Sequence, residues 1–208
     1  MKLLILGATG HTGKHVVERA LEHGDTVTVL ARRPERLAPL AGRVTVVAGD
    51  ATSADDLAKA MADQDAVIST IGRGTSIRAN DLFTRAASAV DAVAKKTGVS
   101  RLVWMSSYGV GATYESAAPL QKAMYKTFLR DIYANKALSE KTIRASGLDW
   151  TIVYPTALTN GPAKGAYRVG DHIEMKGVPR ISRADVGHFM HDAVHDPAWI
   201  HREVIITD

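Results

Sequence analysis

The chain of 208 residues predicts a single doubly wound parallel α/β sheet with helices on both faces, and three observations carry that expectation. Short apolar, β-branched runs alternate with segments of helical spacing from one end of the chain to the other, the order of repeated βαβ units. A glycine-rich turn joins the first apolar run to the first helical segment. No linker, internal repeat or low-complexity tract interrupts the pattern, so one domain over residues 1–208 is expected.

Leu3-Leu4-Ile5-Leu6 is an apolar run met at once by glycine, which reads as a fully buried strand. Lys14-His15-Val16-Val17-Glu18-Arg19-Ala20-Leu21 places its apolar residues at helical spacing. Between them lies Gly7-Ala8-Thr9-Gly10-His11-Thr12-Gly13. Gly7 suits a tight turn, Gly10 a close backbone approach, and Gly13 a helix packed near its strand. The free N–H groups at the helix start can then receive a pyrophosphate. The spacing G-x-x-G-x-x-G is one residue longer in its first gap than the commonest dinucleotide fingerprint, and a glycine turn alone needs no ligand. The strand–turn–helix context is what makes it a dinucleotide signal, and the fold a Rossmann fold. Gly7, Thr9, Gly10, His11, Thr12 and Gly13 are the expected cofactor contacts here.

Residues 26–30 form a second, β-branched strand that stops at Ala31-Arg32-Arg33-Pro34. In a dinucleotide-binding fold this strand end reaches the adenosine ribose. An acid there accepts from a 2′-hydroxyl, whereas arginine meets a 2′-phosphate. Arg32 and Arg33 stand at the tip with no acid before Glu35, which favours NADP(H) over NAD(H), the bland alternative being two solvated loop arginines. A third strand over 44–48 ends in Gly49-Asp50, with Asp50 either an acceptor for the adenine amino group or a turn residue. Ser53 reads as the N-cap of a helix to about Met61, with Asp55 and Asp56 in its first turn. The fourth strand spans 65–71. Ligands lie outside the carboxyl ends of such strands, so Thr70, Ile71 and Gly72 should edge the cofactor.

A polar loop over 72–79 leads to a helix over about 80–96, for which Gly98 is a plausible stop. The fifth strand, 101–107, carries two hydroxyls, Ser106 and Ser107, at its end. Residues 112–130 read poorly; Met124, Tyr125 and Phe128 suit a core stripe or a substrate wall, and a lid there stays open. A helix over 133–145 precedes the sixth strand, 149–154, halted by Pro155. Residues 166–175 read as a hairpin around Gly170-Asp171. Ser182-Arg183-Ala184-Asp185 starts a helix to about Val194, and 203–207 forms the last strand.

The formal net charge of +4 and pI near 9.3 suit nucleic acid or a phosphate-bearing cofactor. The basic residues are scattered among acids, with no basic tail, so nucleic acid is disfavoured. With no cysteine, disulfides and thiolate metal sites are excluded. No apolar run approaches a membrane span, and Met1-Lys2 runs directly into the first strand without room for a signal peptide. A cytoplasmic protein without membrane contact, monomeric or homodimeric, is expected.

A nicotinamide bound across the sheet should lie near the ends of strands four, five and six. Ser106, Ser107, Lys136 and Pro155-Thr156-Ala157 converge there, with the C-terminal part from about 155 to 208 contributing to the substrate pocket. Ordinary short-chain dehydrogenases reduce carbonyls with a tyrosine four residues before a lysine. Four before Lys136 stands Ile132, and Tyr133 is one residue off, so that pair is broken. A ketone needs a positioned acid, but a flavin, quinone or linear tetrapyrrole spreads the incoming electron pair, and solvent can supply the proton. Ser107 and Lys136 are the catalytic candidates. Ser107 would bind the nicotinamide amide or the acceptor, and Lys136 the ribose or developing negative charge. The plainer readings are a strand-end hydroxyl satisfying backbone and a solvated lysine. His188, His191 and His195 share a helix face, but no carboxylate or cysteine partner is identifiable, so the expectation is a partly solvated face and no metal.

The segments Gly7–Gly13, Val29-Leu30-Ala31-Arg32-Arg33-Pro34, Gly49-Asp50 and Ser146-Gly147-Leu148-Asp149-Trp150-Thr151 resemble the atypical short-chain dehydrogenases/reductases. The likeness is greatest to their NAD(P)H-binding, NmrA-like group containing biliverdin reductase B, also called flavin reductase. It continues through Gly165-Ala166-Tyr167 and Ile181-Ser182-Arg183-Ala184-Asp185-Val186-Gly187-His188-Phe189-Met190, and so covers nearly the whole chain. The resemblance implies that Ser107 is an active-site serine and Arg32 a 2′-phosphate ligand. Ala157 stands where the reductase has histidine, which implies a flavin or quinone acceptor rather than biliverdin. Two functions stay open: an NADPH-dependent reductase of a conjugated acceptor, and an NADP(H)-sensing regulator without turnover. A sugar-nucleotide epimerase fits less well, since such enzymes use the intact tyrosine and a larger C-terminal domain.

Overall fold

The structure, a computed structural model, describes residues 1–74, 76, 78–114, 127, 129–175 and 177–208. Met124, Tyr125 and Phe128, and with them the lid question, lie outside the described residues.

The chain alternates as the sequence predicts: β1 (Lys2–Leu6), α1 (His11–Glu22), β2 (Thr26–Ala31), β3 (Thr45–Ala48), α2 (Ala54–Met61), β4 (Ala66–Ser69), α3 (Leu82–Thr97) and β5 (Arg101–Met105). Then follow α4 (Arg130–Ala145), β6 (Asp149–Pro155), β7 (Ala157–Thr159), β8 (Arg168–Gly170), β9 (Arg180–Ser182), α5 (Arg183–His195) and β10 (Arg202–Thr207). Eight strands form one sheet in the order β3-β2-β1-β4-β5-β6-β10-β8, parallel throughout except for β8 against β10. The order reverses between β1 and β4, which opens a crevice beyond their carboxyl ends.

The central strands are apolar on both faces because both faces are covered. Leu4 and Leu6 point into a core with residues of α2, α3 and α4, while Leu3 and Ile5 point into a second core with residues of α1 and α5. On that second side α1 and α5 approach closely, since a Cβ on Gly187 would lie 2.7 Å from the His15 Cβ and 3.1 Å from the Val16 nitrogen.

Local chemistry closes two of the helix starts. Ser53 Oγ accepts from the Asp56 N–H at 3.3 Å, and Ser182 Oγ from the Asp185 N–H at 2.9 Å. The start of α3 is capped from afar, with Asn135 Oδ1 of α4 accepting from Phe83 N–H at 2.9 Å and Thr84 N–H at 3.3 Å. Gly98, at φ 78°, ends α3 in the left-handed conformation that glycine adopts without strain.

Two expectations need correction. Residues 166–175 do not form a hairpin. Only Arg168–Gly170 is a strand, and it pairs antiparallel with β10, where Val169 faces Ile206. The open backbone edge of β10 offers this segment a long ladder partner, while Ile173 and Met175 pack on the core instead of returning as a second arm. The face of His188, His191 and His195 is likewise not uniformly a partly solvated one. His191 is 1% exposed, and its Nε2 lies 2.7 Å from Asp25 Oδ2. The carboxylate partner comes from before β2, some 166 residues away in sequence, so the spacing on the helix gave no sign of it. The small sheet of β7 and β9 was also not anticipated.

Candidate functional site

The turn after β1 has the geometry that the three glycines imply. Gly7 sits at φ 85°, and a Cβ there would lie 2.8 Å from the Thr70 carbonyl carbon. A Cβ on Gly13 would lie 2.3 Å from the Gly7 carbonyl oxygen and 2.7 Å from Thr70 Oγ1. Strand, turn and helix are therefore as close as backbone allows, and no side chain is tolerated in the cradle. Gly10 is the N-cap of α1 and provides no side-chain cap. The first intrahelical bond is Lys14 N–H to the Gly10 carbonyl at 3.1 Å, so the N–H groups of His11, Thr12 and Gly13 precede the helical ladder. His11 is exposed at this end and Thr12 is buried. These residues fit a dinucleotide: open donors, the positive end of a helix, and a floor of glycine backbone.

Thr70 and Ile71 stand directly beside that turn, as walls. Thr70 N–H and Oγ1 both donate to the Leu6 carbonyl, at 2.8 and 3.1 Å, and Ile71 is 7% exposed within the core. Gly72 is exposed beside them. Arg32 and Arg33 are exposed past β2. Asp50 Oδ1 accepts from Thr52 N–H at 2.8 Å and Thr52 Oγ1 at 2.9 Å, the turn role among the two considered. Burial works against the Asp50 charge, but Thr52, Arg32 and Arg85 together hold its carboxyl below the usual range. Arg85, on α3, thus faces the same corner as Arg32. Nothing in its own segment marked it, because α3 comes near the Asp50 turn only in the folded sheet.

At the end of β5 the two serines part company. Ser106 is buried: its N–H donates to the Val153 carbonyl at 2.8 Å, its hydroxyl to Glu140 Oε1 at 2.5 Å, and its carbonyl accepts from Lys136 Nζ at 3.0 Å. That makes Ser106 a support rather than a free cofactor contact. Ser107 is half-buried, and its Oγ accepts from Lys136 Nζ at 2.7 Å. Lys136 is 6% exposed, with Nζ 5.1 Å from the centre of the Phe83 ring. Burial pushes its ammonium down to about 8, against the pull of Glu140. The solvated-lysine alternative does not describe it.

Glu140 is the residue that the sequence reading missed. It is fully buried on α4, one turn beyond Lys136, and burial pushes its carboxyl up against the opposing bonds from Ser106, Arg144 and Tyr154. Its Oε2 takes Arg144 Nη2 at 3.0 Å and the Tyr154 hydroxyl at 3.1 Å. Arg144 and Tyr154 both continue to Glu203 on β10. The available signal was the four-residue spacing of Lys136, Glu140 and Arg144 on one helix face. Tyr133, one residue out of the usual dehydrogenase register, donates to the Tyr108 carbonyl at 3.3 Å.

Pro155 ends β6, and Thr156 and Ala157 follow it. The Pro155 carbonyl accepts from Tyr108 N–H at 3.0 Å, Thr156 Oγ1 donates to Thr207 Oγ1 at 3.1 Å, and Ala157 is exposed at the start of β7. Ser107 with Lys136, the glycine turn and Arg32 with Arg85 thus stand along one crevice at the carboxyl ends of the strands, in the order in which a dinucleotide would extend.

The model of a family described as NAD(P)H-binding matches residues 7–197. Among solved structures, ChuY, titled an anaerobilin reductase from Escherichia coli O157:H7, superposes with a TM-score of 0.84 at 28% identity, over 99% of this chain and 96% of that one. Among curated proteins, YhfK of Bacillus subtilis, named an uncharacterized sugar epimerase, is 29% identical over 89% of this chain and 84% of its own length. Isoflavone reductase homolog P3 of Arabidopsis thaliana is 30% identical over 72% of this chain, which spans 46% of that protein. Among the described residues no helix is long and apolar enough to cross a membrane.

Proposed function

The chain belongs to the NAD(P)H-binding oxidoreductase family, and on that premise we propose that it is an NADPH-dependent reductase of a flavin, quinone or similar conjugated acceptor. The observation that carries the reading is the desolvated Lys136 ammonium held 2.7 Å from Ser107 Oγ at the carboxyl end of β5. NADPH, when bound, supplies a hydride. The glycine turn and the start of α1 hold its pyrophosphate, and Arg32 with Arg85 receives the 2′-phosphate.

Lys136 donates to the Ser107 oxygen, which leaves the Ser107 hydroxyl proton for an acceptor or carboxamide oxygen in the crevice. As negative charge develops on the acceptor, the pair meets it with a hydrogen bond backed by a cation in a site of low dielectric. Glu140 acts only through others: it fixes the Ser106 hydroxyl, and the Ser106 carbonyl holds the lysine. With no tyrosine in register, the site is matched to acceptors that spread charge rather than to simple ketones. The segment 155–208 forms the far wall through β7 and the turn beyond it. The reductase names of ChuY and of the isoflavone reductase homolog support turnover rather than sensing.

The test is oxidation of NADPH, with NADH in parallel, against FMN, riboflavin, a quinone and a redox dye. Turnover that prefers NADPH and falls by about 10- to 100-fold in Ser107→Ala is expected, the loss of one hydrogen bond to developing charge. Tight NADPH binding with no turnover of any acceptor would replace the reductase by a cofactor sensor.

A further inference from the structure

A second cluster of chemistry-bearing side chains lies at the opposite, amino-terminal end of the strands. Asp25 immediately precedes β2, and His191 and His195 occupy the last turns of α5. The two imidazoles, four residues apart, face the same way, and both Nε2 atoms converge on one oxygen. Asp25 Oδ2 is 2.7 Å from His191 Nε2 and 3.0 Å from His195 Nε2. One ligand atom from each residue lies within 4.8 Å of the others.

The placement of His191 is what points beyond a plain hydrogen-bond network. Its side chain is 2% exposed, and both ring nitrogens face carboxylate oxygens, since Nδ1 is 3.2 Å from Asp192 Oδ1 while Nε2 meets Asp25. A neutral imidazole has a single N–H. With that N–H on Nδ1 toward Asp192, the Nε2 lone pair and Asp25 Oδ2 are two electron-pair donors aimed at one point, the arrangement a cation between them uses. Asp25 is buried and also meets the Met1 ammonium. The ammonium takes Oδ1 at 2.5 Å, which leaves Oδ2 toward the imidazoles.

We propose that Asp25, His191 and His195 form a binding site for a zinc-class divalent transition metal, with Asp25 Oδ2 and the two Nε2 atoms as ligands. Two imidazoles and one carboxylate suit zinc and its first-row neighbours and not calcium or magnesium, which take oxygen. Tetrahedral bonds of about 2.0 Å put ligand atoms about 3.3 Å apart, so the two Asp25–imidazole separations would open by about half an ångström, while the two Nε2 atoms, within 4.8 Å of one another, would draw together. Asp192 supplies the carboxylate that orients the His191 ring, as carboxylates commonly do behind metal-bound histidines. A cation here also meets the negative end of α5. His195, 35% exposed, leaves the entry path and a fourth position for water. The ion would tie the last turn of α5 to the loop between α1 and β2, far from the crevice, and its role is structural.

The experiment titrates tag-free protein with Zn²⁺ by calorimetry and with Co²⁺ by visible absorption, for wild type and His195→Ala. His195 is partly exposed, so its loss leaves the core packing in place, and NADPH binding and far-ultraviolet circular dichroism verify the fold. One equivalent of Zn²⁺, an intense four-coordinate Co²⁺ band, and an affinity lower by on the order of 100-fold in His195→Ala are expected. Absence of a one-to-one site in wild type, or equal uptake by His195→Ala, overturns the proposal and leaves the three side chains as a hydrogen-bond network.

Discussion

Replacing Lys136 with methionine separates what the buried ammonium costs the fold from what it does in the site. In the fold its pKa stands at about 8 against 10.5 for a free lysine. Between those values the unfolded chain holds more protons than the folded one, so stability rises with pH through the window. The penalty is complete below about pH 8 and gone above about 10.5. A difference of about 2.5 units (10.5 less 8) corresponds to about 3 to 4 kcal/mol at about 1.4 kcal/mol per unit. Methionine keeps most of the stem against Phe83 but loses the bonds to Ser107 Oγ and the Ser106 carbonyl, about 1 kcal/mol each. Near pH 7 Lys136→Met should therefore be about 1 kcal/mol more stable than wild type. By pH 10 that advantage should have fallen by about 2 to 3 kcal/mol, leaving the variant the weaker protein. Urea unfolding at several pH values between about 7 and 10 measures the gap. A gap that stays constant with pH would refute the reasoning, because it would mean that the ammonium is solvated and titrates as a free lysine does. Reductase turnover should fall in the same variant, a gain of stability at the cost of activity.

Arg32→Ala should raise KM for NADPH by about 10- to 100-fold, the worth of one or two bonds to a phosphate dianion, while KM for NADH stays unchanged. An equal rise for both cofactors would remove Arg32 from the 2′-phosphate site. Gly13→Ala forces a Cβ to 2.3 Å from the Gly7 carbonyl and 2.8 Å from the Ala8 Cα, so strand and helix must part. It should cost about 2 to 3 kcal/mol in urea unfolding and weaken NADPH binding. Gly147→Ala, where no atom lies within 4 Å, is the matched control with an expected change below about 0.5 kcal/mol.

What the sequence by itself determined is what is written locally. The order of strands and helices follows from period and punctuation, so the buried run of β1, the serine caps of α2 and α5, and the glycine end of α3 could all be read without a fold. The same holds for the cofactor end of the site: the glycine turn, Arg32 at a strand tip and Ser107 at another are each adjacent in sequence to the element that positions them. The tertiary structure alone decided what depends on which surfaces meet. Arg168–Gly170 had a plausible turn beside it, yet the free edge of β10 outbid the hairpin. Arg85 reaches the Asp50 corner only because α3 covers that face of the sheet. Glu140 counts for the site only because β5 brings Ser106 to it and β10 brings Glu203 to its partners Arg144 and Tyr154. His191 looked like a residue on a solvated face until α5 packed against α1 and put Asp25 in front of it. A buried polar group must find its partners wherever the packing leaves them, and apolar packing sets those distances with no regard to separation along the chain.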